Sequence, residues 1–482
     1  MQEKKTALFL ILIVLIGLGL RFAPVMLFGT QMSYDAPYHQ RIAEKVFELK
    51  EIPLMDESMG GRANIYPPLY SVFQNIMHYA TGFDFFFLGM ILLPIISLLA
   101  ILTVFVFVRK YAGTRKALLA AFLTAISSSL IAYAFDSPEN FVFFFLPAVI
   151  LLFNENKGKL GAVIYASGLL WNYLIIIASV IPLIFYLRKK IKELIYVGLG
   201  LLLTVIYYFV FHGESVFYNQ DINLAMDFVS LSFKPAFFVS VLISYLLIIP
   251  LIYFIWKNGL NKKADYWKYF IFLSLISLTT VFLTPFLRAW EQIKFLSLSS
   301  IIVLACIQVF DKKVKIYAGV YVLILFCSSL VMCFQGFYPS TMKQDFSSMK
   351  FLEEFTEKGS ILAEPSFSEH MRNTTGLNER ILTSLYFENT GKNSFLKESL
   401  NYLTFQEIEN EKEFFEKSDL RFIALNFEDK ATRNTDKIEE KETFNKIYSM
   451  KYYRKCLIQN KIIGYTCGWN ETEVLEYNEY GK

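Results

Sequence analysis

Charged residues are scarce in this sequence, making up 19% of its 482 residues, whereas hydrophobic residues make up 55% and aromatic residues 17%. Soluble domains carry about 25% charged residues. The composition therefore excludes an ordinary soluble multidomain protein and indicates a polytopic membrane protein. The formal net charge is only +4, and the basic residues are scattered. Because a nucleic-acid interface needs a concentrated basic surface, nucleic acid is excluded as a partner.

Cysteines are also few. The sequence has five, and neither their spacing nor their neighbours match a zinc site. Cys306, Cys327 and Cys333 lie in apolar segments, where a cysteine usually packs as a small buried side chain. Cys456 and Cys467 flank a predicted hairpin near the carboxy terminus. A disulfide between them fits an oxidising compartment, and free thiols fit the sequence equally well.

Long apolar segments dominate the first two thirds of the chain and contain almost no ionisable residues, Arg21 being the clearest exception. A bilayer core about 30 Å thick requires roughly 17–25 apolar residues per helix, which predicts about eleven membrane spans. The pair at 160–187 also fits one long tilted helix. The predicted spans are 6–28, 86–108, 117–135, 140–154, 160–172, 173–187, 193–211, 236–256, 268–285, 295–310 and 316–336.

Lysine and arginine residues in the short connections predict the orientation of these spans. With eleven spans, the basic connections all fall on one side, which the positive-inside rule assigns to the cytoplasm. We therefore expect a multi-pass protein of the cell membrane with a cytoplasmic amino terminus and an extracytoplasmic carboxy-terminal region. The predicted outer loops are 29–85, 135–139, 212–235 and 285–294.

The composition changes after about Phe337, where the long apolar segments stop. Residues 1–337 form the predicted transmembrane domain, and residues 338–482 form a predicted soluble α/β domain outside the cytoplasm. In this outer domain the pattern predicts strands at 360–365, 421–427 and 460–467 and helices at 343–357, 407–417 and 439–449.

Charged residues reappear at the start of the first outer loop. The stretch "MSYDAPYHQRIAEKV" (32–46) places Asp35, His39 and Arg41 just beyond an apolar span. One interpretation is structural, with Asp35 as the N-cap of a helix that begins near Pro37. The other is that Asp35 belongs to a site at the membrane surface.

The second outer loop, "DSPEN" (136–140), can also begin a helix, with Ser137 as its N-cap and Glu139 in its first turn. Considered together, the two loops place Asp35, Asp136 and Glu139 on the same face of the membrane at similar depth. Carboxylates that converge from separate loops form a hard-oxygen site suited to Mg²⁺ or Mn²⁺, which are commonly shared with a substrate phosphate.

The outer loop "PFLRAWEQIKF" (285–295) contains Arg288 and Lys294 on the face where short loops usually avoid positive charge. Both side chains can extend along apolar surface toward water. Alternatively, they bind a phosphate at the bilayer interface through charge-assisted hydrogen bonds.

These motifs, in this order and on these sides, resemble the membrane glycosyltransferases of the C-type fold. The likeness is greatest to the catalytic subunit of oligosaccharyltransferase in its archaeal and bacterial single-subunit forms. "DAPYHQRIAE" and "DSPE" are similar to the first and second acidic motifs of that family. "LLWNYLIII" (169–177) is similar to its Trp-containing stretch, and "EQIKFLSL" (291–298) lies where the family has an Arg-Phe pair.

The resemblance implies a transferase that moves a sugar or oligosaccharide from a polyprenyl (dolichyl-type) phosphate or diphosphate carrier to a protein, lipid or glycan acceptor. It implies Asp35 and Asp136 as catalytic or metal-binding carboxylates, with Glu139 as a further ligand of Mg²⁺ or Mn²⁺. It also implies that Lys294, with Arg288 nearby, binds the donor phosphate, and that His39 and Arg41 shape the first loop.

The acceptor-side motifs of the family are missing. Where the family has Trp-Trp-Asp-Tyr-Gly, which binds the glycosylation sequon, this chain has "EPSFSEHMRN" (364–373), and Ser232 lies near the position of a family glutamate. The chain is also about two spans shorter. The simplest inference is an acceptor different from that of the family.

Three other functions remain open from the sequence. A metal-independent transferase that uses a polyprenyl-monophosphate sugar needs only Asp35 as a base. A transporter or flippase would place ionisable residues in the middle of several spans, and a non-catalytic scaffold would tolerate loss of Asp35.

Overall fold

The structure is a computed structural model, and the residues that it describes lie mainly in the amino-terminal half. The residues it describes are 2–28, 36–56, 62–64, 68–127, 130–131, 140–171, 174–212, 298, 301–302, 323, 326–327, 346–356, 359–363, 371, 381–382, 411–425, 444–454 and 468–477.

The amino-terminal part is a helical bundle with a folded first loop. Helix α1 is followed by the loop elements α2, β1, β2 and α3, and six further helices come after them. The bounds are α1 Gln2–Phe28, α2 Ala36–Leu49, β1 Met55–Asp56, β2 Arg62–Ala63, α3 Leu69–Thr81, α4 Phe85–Ala112, α5 Thr114–Ala125, α6 Asn140–Asn154, α7 Gly158–Trp171, α8 Leu174–Leu187 and α9 Ile191–His212.

Helix α4 is the centre of the bundle, because α1, α2, α3, α5 and α6 all pack against it. It begins after Asp84, whose carboxylate accepts a hydrogen bond from the backbone N–H of Phe87 at 2.6 Å, a standard N-cap contact. Near its other end, Lys110 forms an ion pair of 2.7 Å with Glu155, which follows α6. The N-cap defines the start of α4, and the ion pair joins its other end to the residue that follows α6.

Two described helices, Glu3–Met26 and Phe85–Ala112, are long and apolar enough to cross a membrane. Large apolar side chains on α1 and α9 are exposed, among them Leu8 at 58% and Leu203 at 67%. Exposed apolar faces of this kind are typical of surfaces that contact lipid. The predicted number of about eleven spans stays a prediction, since most of the last four spans lie outside the described residues.

The predicted span 117–135 differs from the structure, because α5 ends at Ala125 and contains only 12 residues. Its length of about 18 Å is less than the thickness of a bilayer core. The pair at 160–187 forms two helices, α7 and α8. The hydroxyl groups of Tyr165 and Ser179 are 2.9 Å apart, whereas one straight helix would separate these residues by about 21 Å.

The described part of the carboxy-terminal region contains a four-stranded mixed sheet in the order β3–β4–β6–β5, with helices α10 (Phe346–Phe355) and α11 (Glu411–Ser418). Strand β3 pairs in parallel with β4, and β6 pairs antiparallel with both β4 and β5. The strands are β3 Ser360–Ala363, β4 Leu420–Leu425, β5 Phe444–Arg454 and β6 Gly468–Tyr477.

The sequence predictions for this domain are correct at α10, β3, α11 and β4. The predicted helix 439–449 is wrong over 444–449, which form a strand, and its residues 439–443 lie outside the described residues. Residues 444–454 form β5 because β6 pairs with them along most of their length. The predicted strand 460–467 lies outside the described residues. Helix α10 packs on β5 and β6, and Met349, Leu352, Ile361 and Phe422 are buried in a common core.

Candidate functional site

Helix α2 begins at Ala36, directly after Asp35. Asp35 therefore occupies the N-cap position in the sequence, although Asp35 itself lies outside the described residues. The first two turns of α2 are buried around most of their circumference rather than along one stripe. The buried side chains, each between 0% and 4% exposed, are Ala36, Tyr38, His39, Gln40, Arg41, Ile42 and Ala43.

Tyr38 and Asn64 connect the start of α2 to the part of the first loop that directly follows β2. The Tyr38 hydroxyl donates a hydrogen bond of 2.8 Å to Asn64 Oδ1, and Asn64 Nδ2 donates one of 3.0 Å to the carbonyl of Pro53. The backbone N–H of Asn64 also donates to the carbonyl of Leu54 at 2.8 Å. Asn64 is 2% exposed, so these bonds hold the loop against α2 in an environment that excludes water.

His39 and Arg41, predicted from the sequence to shape the first loop, both pack against aromatic rings. The His39 ring is edge-on to Tyr38 and to Tyr70, with centroid distances of 5.4 and 5.2 Å. Arg41 Cζ lies 5.5 Å from the centroid of the Tyr38 ring, within the range of a cation–π contact. Burial lowers the pKa of His39 to about 3, so its imidazole is neutral at pH 7.

Helices α2 and α3 are joined by Asn75, which is 7% exposed. Its Nδ2 donates hydrogen bonds to the carbonyls of Ala43 on α2 and Ser71 on α3, at 2.8 and 2.9 Å. On the other side of α2, Gln40 donates a hydrogen bond of 3.0 Å to Glu44. Burial nevertheless raises the pKa of the Glu44 carboxyl. The helix pair is thus a folded platform that directly follows Asp35.

A group of buried apolar and aromatic side chains, here called the Tyr70 cluster, joins this platform to the bundle. It contains Tyr70, Leu92, Leu93, Ile96 and Trp171. The Trp171 ring lies 6.0 Å from Tyr70 and 5.4 Å from Phe73 between centroids. The stretch "LLWNYLIII", which carries part of the family resemblance, therefore contacts the first loop through its tryptophan.

Helix α6 also contacts the Tyr70 cluster, because Phe145 packs against it. Helix α6 begins at Asn140, directly after the second acidic motif. His39 contacts Tyr70 and lies about 4.5 Å along α2 from Ala36, and Phe145 lies about 7.5 Å along α6 from Asn140. The helices that begin after the two acidic loops therefore both contact the same cluster within their first two turns.

The sequence interpretation missed Gln74, which lies one helical turn after Tyr70 on α3 and is 0% exposed. Within the described part of the chain, neither its Nε2 nor its Oε1 has a hydrogen-bond partner. The available signal was the spacing of Tyr70, Gln74 and His78 at successive helical turns. The two prolines at 67 and 68 obscured that spacing, because "YPPLY" (66–70) is typical of a purely structural turn before a helix.

Five of the predicted site residues, Asp35, Asp136, Glu139, Arg288 and Lys294, lie outside the described residues, and so does Ser232. Among the residues that are described, no group of three or more His, Cys, Asp or Glu side chains could hold a metal ion. The predicted carboxylate site thus stays a prediction, and only its supporting helices are observed.

The sequence matches no protein-family model, and no curated protein is significantly similar to it. The fold, however, is shared with solved structures. One is the archaeal oligosaccharyltransferase AglB from Archaeoglobus fulgidus in complex with an inhibitory peptide and a dolichol-phosphate. It has a TM-score of 0.57 and 10% identity, with 94% of this chain and 73% of that chain covered.

The oligosaccharyltransferase of the same organism in complex with zinc and sulfate has a TM-score of 0.53 and 12% identity, with coverage of 93% of this chain and 72% of that chain. The arabinofuranosyltransferase AftD from Mycobacteria has a TM-score of 0.52 and 11% identity, with coverage of 98% of this chain and 40% of that chain. At these identities the likeness shows the fold, and the resemblance to the C-type glycosyltransferases is confirmed at that level.

Proposed function

From its fold, which it shares with C-type glycosyltransferases, we propose that this chain is a membrane glycosyltransferase. It transfers a sugar or oligosaccharide from a polyprenyl phosphate or diphosphate carrier to a protein, lipid or glycan acceptor on the outer face of the cell membrane. The neighbour solved with dolichol-phosphate supports this class of donor. The missing acceptor motifs support an acceptor other than the glycosylation sequon.

The observation that carries the proposal is the shared contact of two helices with the Tyr70 cluster. Helix α2 follows Asp35 and contacts Tyr70 through His39. Helix α6 follows Asp136 and Glu139 and contacts the cluster through Phe145. Because both contacts occur near the beginning of their helices, they support the convergence of the two acidic loops that the sequence predicts.

A divalent metal fits the carboxylates of Asp35, Asp136 and Glu139, because hard carboxylate oxygens are the usual ligands of Mg²⁺ and Mn²⁺. The neighbour solved with zinc and sulfate supports a divalent metal beside an anion. A bound ion would offset the negative charge that develops on the leaving phosphate.

The reaction is a nucleophilic substitution at the anomeric carbon of the donor sugar. The acceptor forms a new bond to this carbon while the bond to the carrier phosphate breaks, with inversion of configuration. Asp35 accepts the proton that the acceptor loses. Lys294 and Arg288 bind the departing phosphate through charge-assisted hydrogen bonds.

The test is transfer of label from radiolabelled polyprenyl-linked sugars by membranes that contain the protein, with and without Mn²⁺. We expect Asp35→Ala and Asp136→Ala each to reduce transfer by at least about 100-fold, the usual contribution of an acid–base or metal-activated group. Glu51→Ala is the matched control, since Glu51 is an exposed carboxylate in the same outer loop. Its transfer rate should equal that of the wild type.

The same assay separates the alternatives. Transfer that survives chelation and is lost only in Asp35→Ala would support the metal-independent transferase. Undiminished transfer in both aspartate variants would contradict the proposed site, and absence of transfer from every polyprenyl-linked donor by the wild type would contradict the proposed function.

A further inference from the structure

Arg21 is a charged residue within the apolar helix α1 and is 0% exposed. Ionisable residues are rare inside membrane-spanning helices, and where they occur they usually serve a specific function. Arg21 is too far from the predicted carboxylates in the sequence to belong to either acidic motif. Its contacts therefore decide what it does.

The guanidinium of Arg21 donates hydrogen bonds to backbone carbonyls on two helices. Nη1 donates to Gly17 on its own helix and to Ala125 on α5, both at 3.0 Å, and Nη2 makes a longer contact of 3.5 Å with the carbonyl of Thr124. Thr124 and Ala125 are the last two residues of α5. Arg21 thus caps the carboxy-terminal end of a helix that is too short to cross a bilayer.

This cap is physically favourable because the last carbonyls of a helix lack partners within that helix. These carbonyls also form the negative end of the helix dipole, which attracts a cation. The cap therefore explains why α5 ends stably at Ala125, ten residues before the end of the span 117–135 that the sequence predicts.

Gly17 allows α1 to approach α5 closely enough for this contact. A Cβ atom at Gly17 would lie 3.3 Å from Ala125 Cβ, 3.3 Å from Arg21 Nη1 and 2.7 Å from Ile101 Cδ1. The Ile101 methyl can rotate away, whereas Ala125 Cβ is fixed to its backbone. A side chain larger than alanine at position 17 would separate the two helices.

We propose that Arg21 is a positioning residue that joins helices α1 and α5, the two helices after which the acidic loops begin. The chain that leaves α1 after Arg21 leads to Asp35, and the chain that leaves α5 after Ala125 leads to Asp136. Fixing the end of α5 to α1 therefore sets the relative position of the two points at which the acidic loops begin. This inference rests on the proposed function for its purpose. The contact of Arg21 with the end of α5, here called the clamp, can be tested without activity.

The test measures the distance between nitroxide labels at Met26, an exposed position near the end of α1, and Ser137 in the second acidic loop. Each label is attached to an introduced amino acid that carries a ketone, so the native cysteines stay in place. Double electron–electron resonance spectroscopy on the detergent-purified full chain then gives the distribution of distances between the two labels. We expect a clearly broader distribution in Arg21→Met than in the wild type. Arg21→Lys, which retains a cation near the same carbonyls, should restore the narrower one.

Arg109→Met is the matched control, because it removes the same side chain from an exposed position on α4. It should leave the distribution unchanged. An Arg21→Met distribution equal to that of the wild type, or broadening of the same size in Arg109→Met, would overturn the inference. A Lys variant as broad as the Met variant would also overturn it.

If Arg21→Met cannot be recovered as folded protein, Gly17→Leu provides the same test, since it moves α1 away from Ala125 while Arg21 remains. An unchanged distribution in that variant would contradict the clamp.

In the transfer assay, Arg21→Met should raise the Mn²⁺ concentration needed for half-maximal rate by about 10-fold, as loss of a group that orients metal ligands does, with the KM for the donor unchanged. Failure of the wild type to transfer label would refute the function, while the distance measurement would still decide the clamp.

Discussion

Several polar side chains of the first outer loop are buried where α2 meets α3, and each has consequences that depend on its partners. Asn75 donates two hydrogen bonds, whereas the adjacent Gln74 has no partner among the described residues. His39 lies between two aromatic rings and is 3% exposed. These differences lead to two predictions about single residues.

The first concerns the pH dependence of stability. Burial lowers the pKa of His39 from 6.5 to about 3, so the unfolded chain binds a proton at mildly acidic pH that the folded protein does not. The stabilisation is complete above pH 6.5 and decreases as pH falls from there toward 3. Between pH 7 and pH 5 the free energy of unfolding should fall by about 2 kcal/mol from this group.

Thermal unfolding of the detergent-solubilised protein at both pH values measures this effect. His39→Phe removes the titrating group and should reduce the pH dependence by the same amount. An equal loss of stability in the variant and the wild type would show that other groups cause it.

The second compares two neighbours on α3. Asn75→Met leaves the carbonyl of Ala43 without its side-chain donor and should destabilise the protein by about 1–3 kcal/mol. Gln74→Met removes a buried amide that has no partner among the described residues, and it should leave stability unchanged or raise it by about 1 kcal/mol. Chemical unfolding measures both, and a Gln74 variant that loses as much stability as the Asn75 variant would contradict this account.

At the scale of elements, β5 and β6 form an antiparallel pair in which Arg454 lies opposite Gly468. Cys456 and Cys467 lie outside the described residues, but these paired positions bracket the segment that contains them. The pairing therefore brings the two ends of that segment together, which favours a disulfide. The extracytoplasmic location predicted for this region favours one as well.

We expect Cys456 and Cys467 to resist alkylation in the unfolded, unreduced protein and to react after reduction, as measured by mass spectrometry of their peptides. Cys327, which is a free cysteine, is an internal control that should react without reduction. Alkylation of Cys456 and Cys467 before reduction would show that they are free thiols.

At the scale of the whole molecule, the predicted orientation follows from the basic connections and remains to be measured. A cytoplasmic amino terminus and an extracytoplasmic outer domain require an odd number of spans. The exposed apolar side chains of α1 and α9 agree with helices that face lipid, but they do not distinguish the two sides of the membrane.

Labelling of single introduced cysteines in intact cells tests this orientation. An impermeant maleimide should react at Glu416, an exposed position of the outer domain, and should not react at Glu155 unless the membrane is permeabilised. Reaction at both positions in intact cells, or at neither, would contradict the eleven-span arrangement.

The sequence by itself determined the features that depend on local composition. Long apolar runs predict the helices α1 and α4, and the change near Phe337 predicts a separate α/β domain whose described elements mostly agree with the pattern. The order of short motifs predicted the C-type fold, and the solved neighbours share that fold although their identity to this chain is near 10%.

Only the tertiary structure decided features that depend on contacts between distant residues. The end of α5 depends on Arg21, which lies on another helix, so no local pattern marks it. The strand β5 depends on pairing with β6, which overrides its local helical pattern. The contact of α2 and α6 with the Tyr70 cluster likewise arises from packing, since hydrophobic burial brings together segments whose separation in sequence carries no signal.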